Sequence, residues 1–137
     1  MSESGTDVLI IDDEQAYRES IGTTLRGQGL EVQLASSMEQ ARDRARVSPP
    51  ALVLLDLRMP GSDSLAHLEE WLGMAAPPRV IVLSEATAQE QVLEALRRGA
   101  TDYLAKPVHE EELCLAVRRG ARQLGPQRRS AETGSRG

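Results

Sequence analysis

The chain has 137 residues, a formal net charge of −5 and one cysteine, Cys114. This length fits one domain with one buried core, and the mixing of acidic and basic residues argues against a general nucleic-acid or membrane surface. One cysteine excludes an internal disulfide, and no cysteine–histidine cluster has the spacing of a zinc site. Neither a signal-like leader nor a run of roughly 20 apolar residues is present, so we expect a cytoplasmic protein.

Five short apolar segments are predicted to be strands, with helical segments between them. Residues 8–11, 52–55 and 80–83 are apolar throughout, which is typical of central parallel strands covered by helices on both faces. Residues 30–35 alternate more with polar residues, and residues 102–105 form a short segment. We therefore predict that these two strands lie at the edges of the sheet.

The helices are indicated by apolar residues that recur at three- to four-residue spacing. Ser36 or Ser37 is predicted to cap the second helix and Asp63 the third, and Gly99 is predicted to end the fourth. The first helix should end near Gly27 or Gly29. In chain order the apolar stripes are Tyr17, Ile21 and Leu25; Met38, Ala41 and Ala45; Leu65, Leu68 and Leu72; Val92 and Leu96; and Leu113, Ala116, Val117, Gly120, Ala121 and Leu124.

This order of elements predicts an α/β protein of (βα)5 type, a three-layer αβα sandwich with right-handed crossovers. The ordered domain should cover about residues 6–124. Residues 1–5 and 125–137 are polar and lack a core stripe, so they are predicted to be a disordered N-terminus and a disordered tail or linker. In open parallel sheets, sites form beyond the carboxyl ends of strands where the strand order reverses.

Polar residues stand at four of the predicted strand ends. Asp12 and Asp13 follow the first strand, Asp56 the third, Ser84 the fourth and Lys106 the fifth. An isolated acidic pair at a strand end often only starts a turn, but this joint occurrence favours a site. Three converging carboxylates would repel one another unless a cation neutralised them. Magnesium prefers such oxygen ligands and commonly binds beside a phosphate, so a magnesium site and a phosphoryl ligand are predicted together.

These five residues, with "DLRMPG" after the third strand and "KP" after the fifth, resemble the receiver domain of two-component response regulators, in the CheY-like superfamily. The resemblance covers about residues 6–124. It implies a flavodoxin-like fold with a five-stranded parallel sheet of order 2-1-3-4-5.

The resemblance also implies the chemistry of the site. Asp56 is the phosphoacceptor, and its donor is a sensor histidine kinase or a phosphotransfer protein. Asp13 and Asp56 bind Mg2+, or Mn2+ in its place, together with the backbone carbonyl of Arg58, while Asp12 acts largely through water. The protein's only reactions are then its own phosphoryl transfer and hydrolysis, so it is not expected to be an enzyme.

The same resemblance assigns a switch. Lys106 and the Ser84 hydroxyl contact phosphoryl oxygens, and a cis peptide bond to Pro107 aims the lysine inward. Tyr103 then rotates toward Ser84 and changes the surface of helix 4, strand 5 and helix 5. This surface controls an output protein or a downstream domain, and phosphorylation is expected to favour a homodimer. Direct binding of nucleic acid and association with a membrane are not expected.

Lys106 is the only lysine of the chain, beside fifteen arginines. A compact ammonium suits contact with a single oxygen in a crowded site better than the planar fork of arginine does. Glu85 departs from the resemblance, because family members usually carry a small residue there. Its carboxylate could repel phosphate, slow the donor or point to solvent, and we favour the last interpretation.

Two other functions are weighed against the switch. A pseudo-receiver would keep the fold as a protein interaction module without using phosphate, which the complete set of acidic residues and Lys106 argues against. A phosphohydrolase with an aspartyl nucleophile would place a second aspartate where this chain has Arg58, and it would need a cap domain for which the chain has no room. The cognate kinase and the output pathway stay open.

Overall fold

The computed structural model describes residues 6–85 and 87–120. A fifth helix, α5, is described over residues 110–120. The predicted N-terminus 1–5 and tail 125–137, and the predicted core positions Ala121 and Leu124, lie outside the described residues. The other elements are β1 (Thr6–Ile11), α1 (Gln15–Gly27), β2 (Val32–Ala35), α2 (Met38–Val47), β3 (Pro50–Asp56), α3 (Ser64–Leu72), β4 (Arg79–Glu85), α4 (Gln89–Arg98) and β5 (Asp102–Lys106).

The strands form one parallel sheet of order β2-β1-β3-β4-β5, which confirms the predicted topology. The predicted edge strands, β2 and β5, are the edges. In the sheet register Ile11 lies beside Leu55, Asp56 beside Leu83, and Glu85 beside Lys106. The ends of β1, β3, β4 and β5 therefore lie along one edge, as the site prediction requires.

Two buried clusters cover the two faces of the sheet, because successive side chains of a strand point to opposite sides. On one face, Leu9 and Val53 belong to a cluster with residues of α2, α3 and α4. On the other, Val8 and Leu52 belong to a cluster with residues of α1 and α5. The result is the predicted three-layer sandwich, with Trp71 of α3 completely buried in the first cluster.

Local signals in the sequence set several helix ends. The Ser37 hydroxyl accepts a hydrogen bond from the Gln40 backbone N–H at 3.1 Å, and the Asp63 carboxylate accepts one from the Ala66 N–H at 3.2 Å. These bonds satisfy N–H groups that have no partner within the first turn of a helix. Gly99 ends α4 with φ 122°, a conformation that favours glycine. Ser37, rather than Ser36, is the cap of α2.

None of the helices in the described residues combines the length and the apolar character that a membrane span requires. Cys114 is buried in α5, as expected of a small apolar side chain.

Candidate phosphoacceptor site

The candidate site lies at the carboxyl edge of the sheet, where β2 lies on one side of β1 and β3 lies on the other. Such a reversal of strand order opens a crevice in parallel sheets. Asp12 and Asp13 lie in the loop after β1, Asp56 is the last residue of β3, and Lys106 is the last residue of β5. Ser84 is buried near the end of β4.

Three of the predicted site residues form an acidic cluster. Asp12, Asp13 and Asp56 each offer a carboxylate oxygen, and these oxygens lie within 4.8 Å of one another. Asp12 and Asp56 are buried, whereas Asp13 is exposed. Three carboxylate oxygens at this spacing match the ligands that a hard divalent cation prefers, and the exposed Asp13 leaves the cluster open to solvent.

Hydrogen bonds from the backbone orient the two buried carboxylates. Asp12 Oδ1 accepts from the Glu14 N–H at 2.9 Å, and Asp56 Oδ1 accepts from the Arg58 N–H at 2.9 Å. Arg18 Nη1 donates to the Asp12 carbonyl at 2.8 Å, which ties the loop after β1 to α1. In both aspartates the bond to Oδ1 leaves Oδ2 directed toward Lys106, as the next contacts show.

Lys106 is buried and lies among three carboxylates. Its Nζ is 2.8 Å from Glu14 Oε1, 2.9 Å from Asp12 Oδ2 and 3.4 Å from Asp56 Oδ2. The contact with Asp12 is an ion pair without hydrogen-bond geometry. The Lys106–Pro107 peptide bond is cis, as the resemblance implies.

Burial and neighbouring charges change the acidity of the two central groups. Burial raises the pKa of Asp56 to about 7; the hydrogen bond from Arg58 opposes this rise, the neighbouring Asp12 adds to it, and Lys106 opposes it. Burial by itself lowers the pKa of Lys106, but the contacts with Glu14, Asp12 and Asp56 outweigh it, so the net pKa is raised. The neighbouring carboxylates thus favour the charged form of Lys106, whereas burial disfavours the ionised form of Asp56.

An ion pair spans the neighbouring loops. Arg58 Nη1 lies 3.7 Å from Glu85 Oε2, and both side chains are at least partly exposed. The expectation that Glu85 only points to solvent is thus incomplete, because its charge is partly offset by Arg58. The pair could not be read from sequence, since it joins the ends of two different strands.

The two predicted switch residues line one cavity. Ser84 and Tyr103, with Val92, Leu96 and Ala105 among the other lining residues, line an open pocket of about 350 Å³ between β4, β5 and α4. Ser84 is buried, whereas Tyr103 is 47% exposed.

Sequence analysis missed two residues that contact Lys106. Glu14 is the third acidic residue of "DDE", so its position was visible in the sequence, but its contact with the lysine was not. Tyr17 was assigned to the apolar stripe of the first helix, yet its ring centroid is 4.7 Å from Lys106 Nζ. Glu14 immediately precedes α1 and Tyr17 lies in its first turn, and the fold brings this end of the helix to Lys106 at the end of β5.

Comparisons with known proteins agree with this geometry. A family model described as "Response regulator receiver domain" matches residues 8–118. The chain is 37% identical over 113 residues to the KDP operon transcriptional regulatory protein KdpE of Escherichia coli, which covers 82% of this chain and 50% of KdpE. It is 35% identical over 133 residues to the response regulator protein TodT of Pseudomonas putida, which covers 95% of this chain and 57% of TodT.

Among solved structures, the receiver domain of NtrX from Brucella abortus is similar, with a TM-score of 0.79 and 32% sequence identity. That match covers 83% of this chain and 97% of the NtrX chain. The chain spans about half the length of KdpE and about a quarter of ZraR from Escherichia coli, another curated relative.

Proposed function

The chain belongs to the response regulator receiver domain family, and from this premise we propose that it is a phosphoaccepting switch in a two-component system. Asp56 accepts a phosphoryl group from a sensor histidine kinase or a phosphotransfer protein. The observation that carries the proposal is the surroundings of Asp56: it is buried at a strand end, within the acidic cluster and 3.4 Å from the Lys106 ammonium.

In the proposed reaction, an Asp56 oxygen attacks the phosphorus of a phosphohistidine. A phosphorus–oxygen bond forms, the phosphorus–nitrogen bond breaks, and the imidazole leaves with that electron pair. The Arg58 N–H holds Asp56 Oδ1, which leaves Oδ2 as the attacking atom. Mg2+, or Mn2+, would be held by Asp12, Asp13, Asp56 and the Arg58 carbonyl, and would favour the ionised form of Asp56 while offsetting the negative charge of the incoming group.

Lys106 and Ser84 respond to the product. Phosphorylation adds about −1.5 to −2 charges and several acceptor oxygens at Asp56. The Lys106 ammonium binds one phosphoryl oxygen and the Ser84 hydroxyl binds another. The cavity between Ser84 and Tyr103 then gives the Tyr103 ring a space to enter, which changes the surface formed by α4, β5 and α5.

That surface is the proposed output face, and it carries exposed Leu93, Tyr103 and Leu115. Relatives such as KdpE are transcriptional regulators by name, and the match covers only 50% of KdpE. We therefore propose that the output is a partner or a further domain, that phosphorylation favours a homodimer, and that nucleic acid is not bound by these residues directly. The proposed reaction modifies only the protein itself, so we propose that the module acts as a switch and not as an enzyme.

Intact-mass measurement after incubation with acetyl phosphate and Mg2+ tests the assignment. The wild type should gain one phosphoryl group, and Asp56→Asn should gain none. Asp43→Asn is the matched control, because Asp43 is an exposed aspartate of α2 that pairs with Arg46. A wild type that stays unmodified would instead support the pseudo-receiver. An Asp56→Asn variant modified like the wild type would show that another residue is the phosphoacceptor.

A further inference from the structure

The shortest contact of Lys106 is one that the proposed switch does not use. Glu14 Oε1 is the nearest anionic atom to Nζ, at 2.8 Å, whereas the phosphoacceptor oxygen Asp56 Oδ2 is the farthest of the three, at 3.4 Å. In this arrangement the ammonium is held on the α1 side of the site. Lys106 and Glu14 are 92 positions apart in the chain, so only the fold brings them together.

The position of the ammonium makes this contact a competing one. Lys106 Nζ donates hydrogen bonds to Glu14 and Asp56 and forms an ion pair with Asp12. A phosphoryl group on Asp56 would place new acceptor oxygens beyond the present carboxylate, and an ammonium that turns toward them has to weaken its contact with Glu14 or Asp12. Asp12 is buried, and its other oxygen is held by the Glu14 N–H, so it is poorly placed to release the lysine.

Glu14 is better placed than Asp12 to lose its contact with the Lys106 ammonium. Its side chain is 54% exposed, so water can replace the ammonium around the carboxylate. It also stands immediately before α1, where the positive end of the helix favours a negative charge after the lysine has left. The Tyr17 ring, 4.7 Å from Nζ, supports the ammonium on the same side through a cation–π contact.

We propose that Glu14 is a positioning residue that holds Lys106 away from the phosphoryl position and competes with the phosphoryl oxygen for it. Glu14 then lowers the affinity of the site for a phosphoryl group and makes switching less complete at a given level of donor. This inference rests on the proposed function, because it takes Lys106 as the residue that binds the phosphoryl oxygen.

The single lysine makes the contact directly observable. Lysine labelled with 13C and 15N introduces one labelled side chain, so one set of NMR signals reports on Lys106 in an otherwise unlabelled chain. Without metal or donor, Glu14→Gln should shift these signals, and Tyr17→Leu should remove the ring-current contribution to the shifts of the Lys106 ε protons. Glu19→Gln is the control, because Glu19 is an exposed glutamate of the same helix that accepts a hydrogen bond from Gln15. It should leave the Lys106 signals in place.

Competition is tested by titrating beryllofluoride, a phosphoryl analogue, in the presence of Mg2+ while following the same signals. Glu14→Gln should bind beryllofluoride about two- to fivefold more tightly than the wild type, the range expected for release of a half-exposed ion pair. Glu14→Asp, which is one methylene shorter, should lie between the two. Glu19→Gln, which removes the same charge, should change the affinity by much less.

A double-mutant cycle shows whether Glu14 acts through the lysine. The rate of phosphorylation by acetyl phosphate should rise in Glu14→Gln, and this gain should vanish in a Lys106→Met background. Circular dichroism establishes whether the Lys106→Met variant is folded. If it is not, Lys106→Gln replaces it in the same cycle, and the gain from Glu14→Gln should again vanish.

The outcomes separate the two proposals. A wild type that binds neither beryllofluoride nor a phosphoryl group would overturn the proposed function together with this inference. A wild type that is phosphorylated, with Glu14→Gln and Glu19→Gln equal in affinity and in lysine signals, would overturn the competition alone. Weaker binding of beryllofluoride by Glu14→Gln would overturn it as well, since Glu14 would then assist the lysine.

Discussion

Two clusters in this molecule combine carboxylates with a cationic side chain, but the pKa of a carboxylate is raised in one cluster and lowered in the other. At the carboxyl edge of the sheet, Asp12, Asp56 and Lys106 are buried together. Between α2 and α3, Arg42 binds Glu70 through two hydrogen bonds of 2.7 and 3.0 Å, with side chains 43% and 38% exposed. The surface pair has the shortest single contact, yet the buried group forms the candidate site.

The difference comes from water. In the surface pair the hydrogen bond from Arg42 lowers the pKa of Glu70, because solvation of the carboxylate is largely kept. In the buried group the loss of solvation outweighs the attraction of Lys106 and raises the pKa of Asp56. Burial therefore makes the ionised form of Asp56 unfavourable in free energy, and a bound cation would offset this cost. The following experiments test this contrast, from the largest expected effect to the smallest.

Removal of the buried cation should have the largest effect. Lys106→Met leaves Asp12 and Asp56 buried without their positive partner, and should lower the free energy of unfolding by about 3 kcal/mol at pH 8 without metal. Urea unfolding followed by the fluorescence of Trp71, the one tryptophan of the chain, measures this. A loss no greater than that of Arg42→Met would show that burial does not distinguish the two clusters.

Removal of the buried charge at Asp56 should stabilise the protein, whereas removal of Lys106 should destabilise it. The folded pKa of about 7 lies above the ordinary value of 3.8, so the folded state holds a proton that the unfolded state has lost between these pH values. Wild-type stability should therefore fall, relative to Asp56→Asn, as the pH rises toward 7, and stay level above it. We expect the free energy of unfolding of Asp56→Asn, relative to that of the wild type, to rise by roughly 2–3 kcal/mol from pH 5 to pH 8.

The measurement is urea unfolding of both proteins across this pH range without divalent cations. Added Mg2+ should stabilise the wild type and narrow the gap, since it neutralises the acidic cluster that the variant has lost in part. A gap that stays constant from pH 5 to pH 8 would contradict the raised pKa.

The exposed ion pair beside the site should affect the rate of phosphorylation more than stability. Arg58→Ala leaves Glu85 unpaired next to the phosphoacceptor, and should slow phosphorylation by acetyl phosphate about threefold at low salt. The double variant Arg58→Ala/Glu85→Ala keeps the net charge of the wild type and should recover most of the rate. Intact-mass time courses measure this; a double variant as slow as Arg58→Ala would show that Glu85 is not the cause. Added salt should shrink the difference.

The surface pair provides the smallest expected effect. Arg42→Met should lower the free energy of unfolding by less than about 1 kcal/mol, because the solvated partners lose little when they separate. Its rate of phosphorylation should equal that of the wild type. A larger loss of stability, or a change in rate, would mean that the α2–α3 surface is coupled to the site.

Much of the fold followed from local patterns. The fully apolar segments around Leu9, Val53 and Ile81 indicated central strands, and Ser37 and Gly99 indicated helix ends, because periodicity and capping depend on residues close in the chain. The members of the site were also visible, since parallel strands bring their ends to one edge. The sheet order itself came from resemblance, because periodicity does not rank the strands.

The sequence by itself determined which residues stand at the strand ends, and so the acidic cluster and Lys106. Only the tertiary structure decided what those residues touch: Glu14 and the Tyr17 ring around Lys106, and Arg58 against Glu85. The physical reason is distance along the chain. Side-chain contacts between separate elements depend on how α1 and the strand-end loops pack in three dimensions, and no spacing within one segment encodes that.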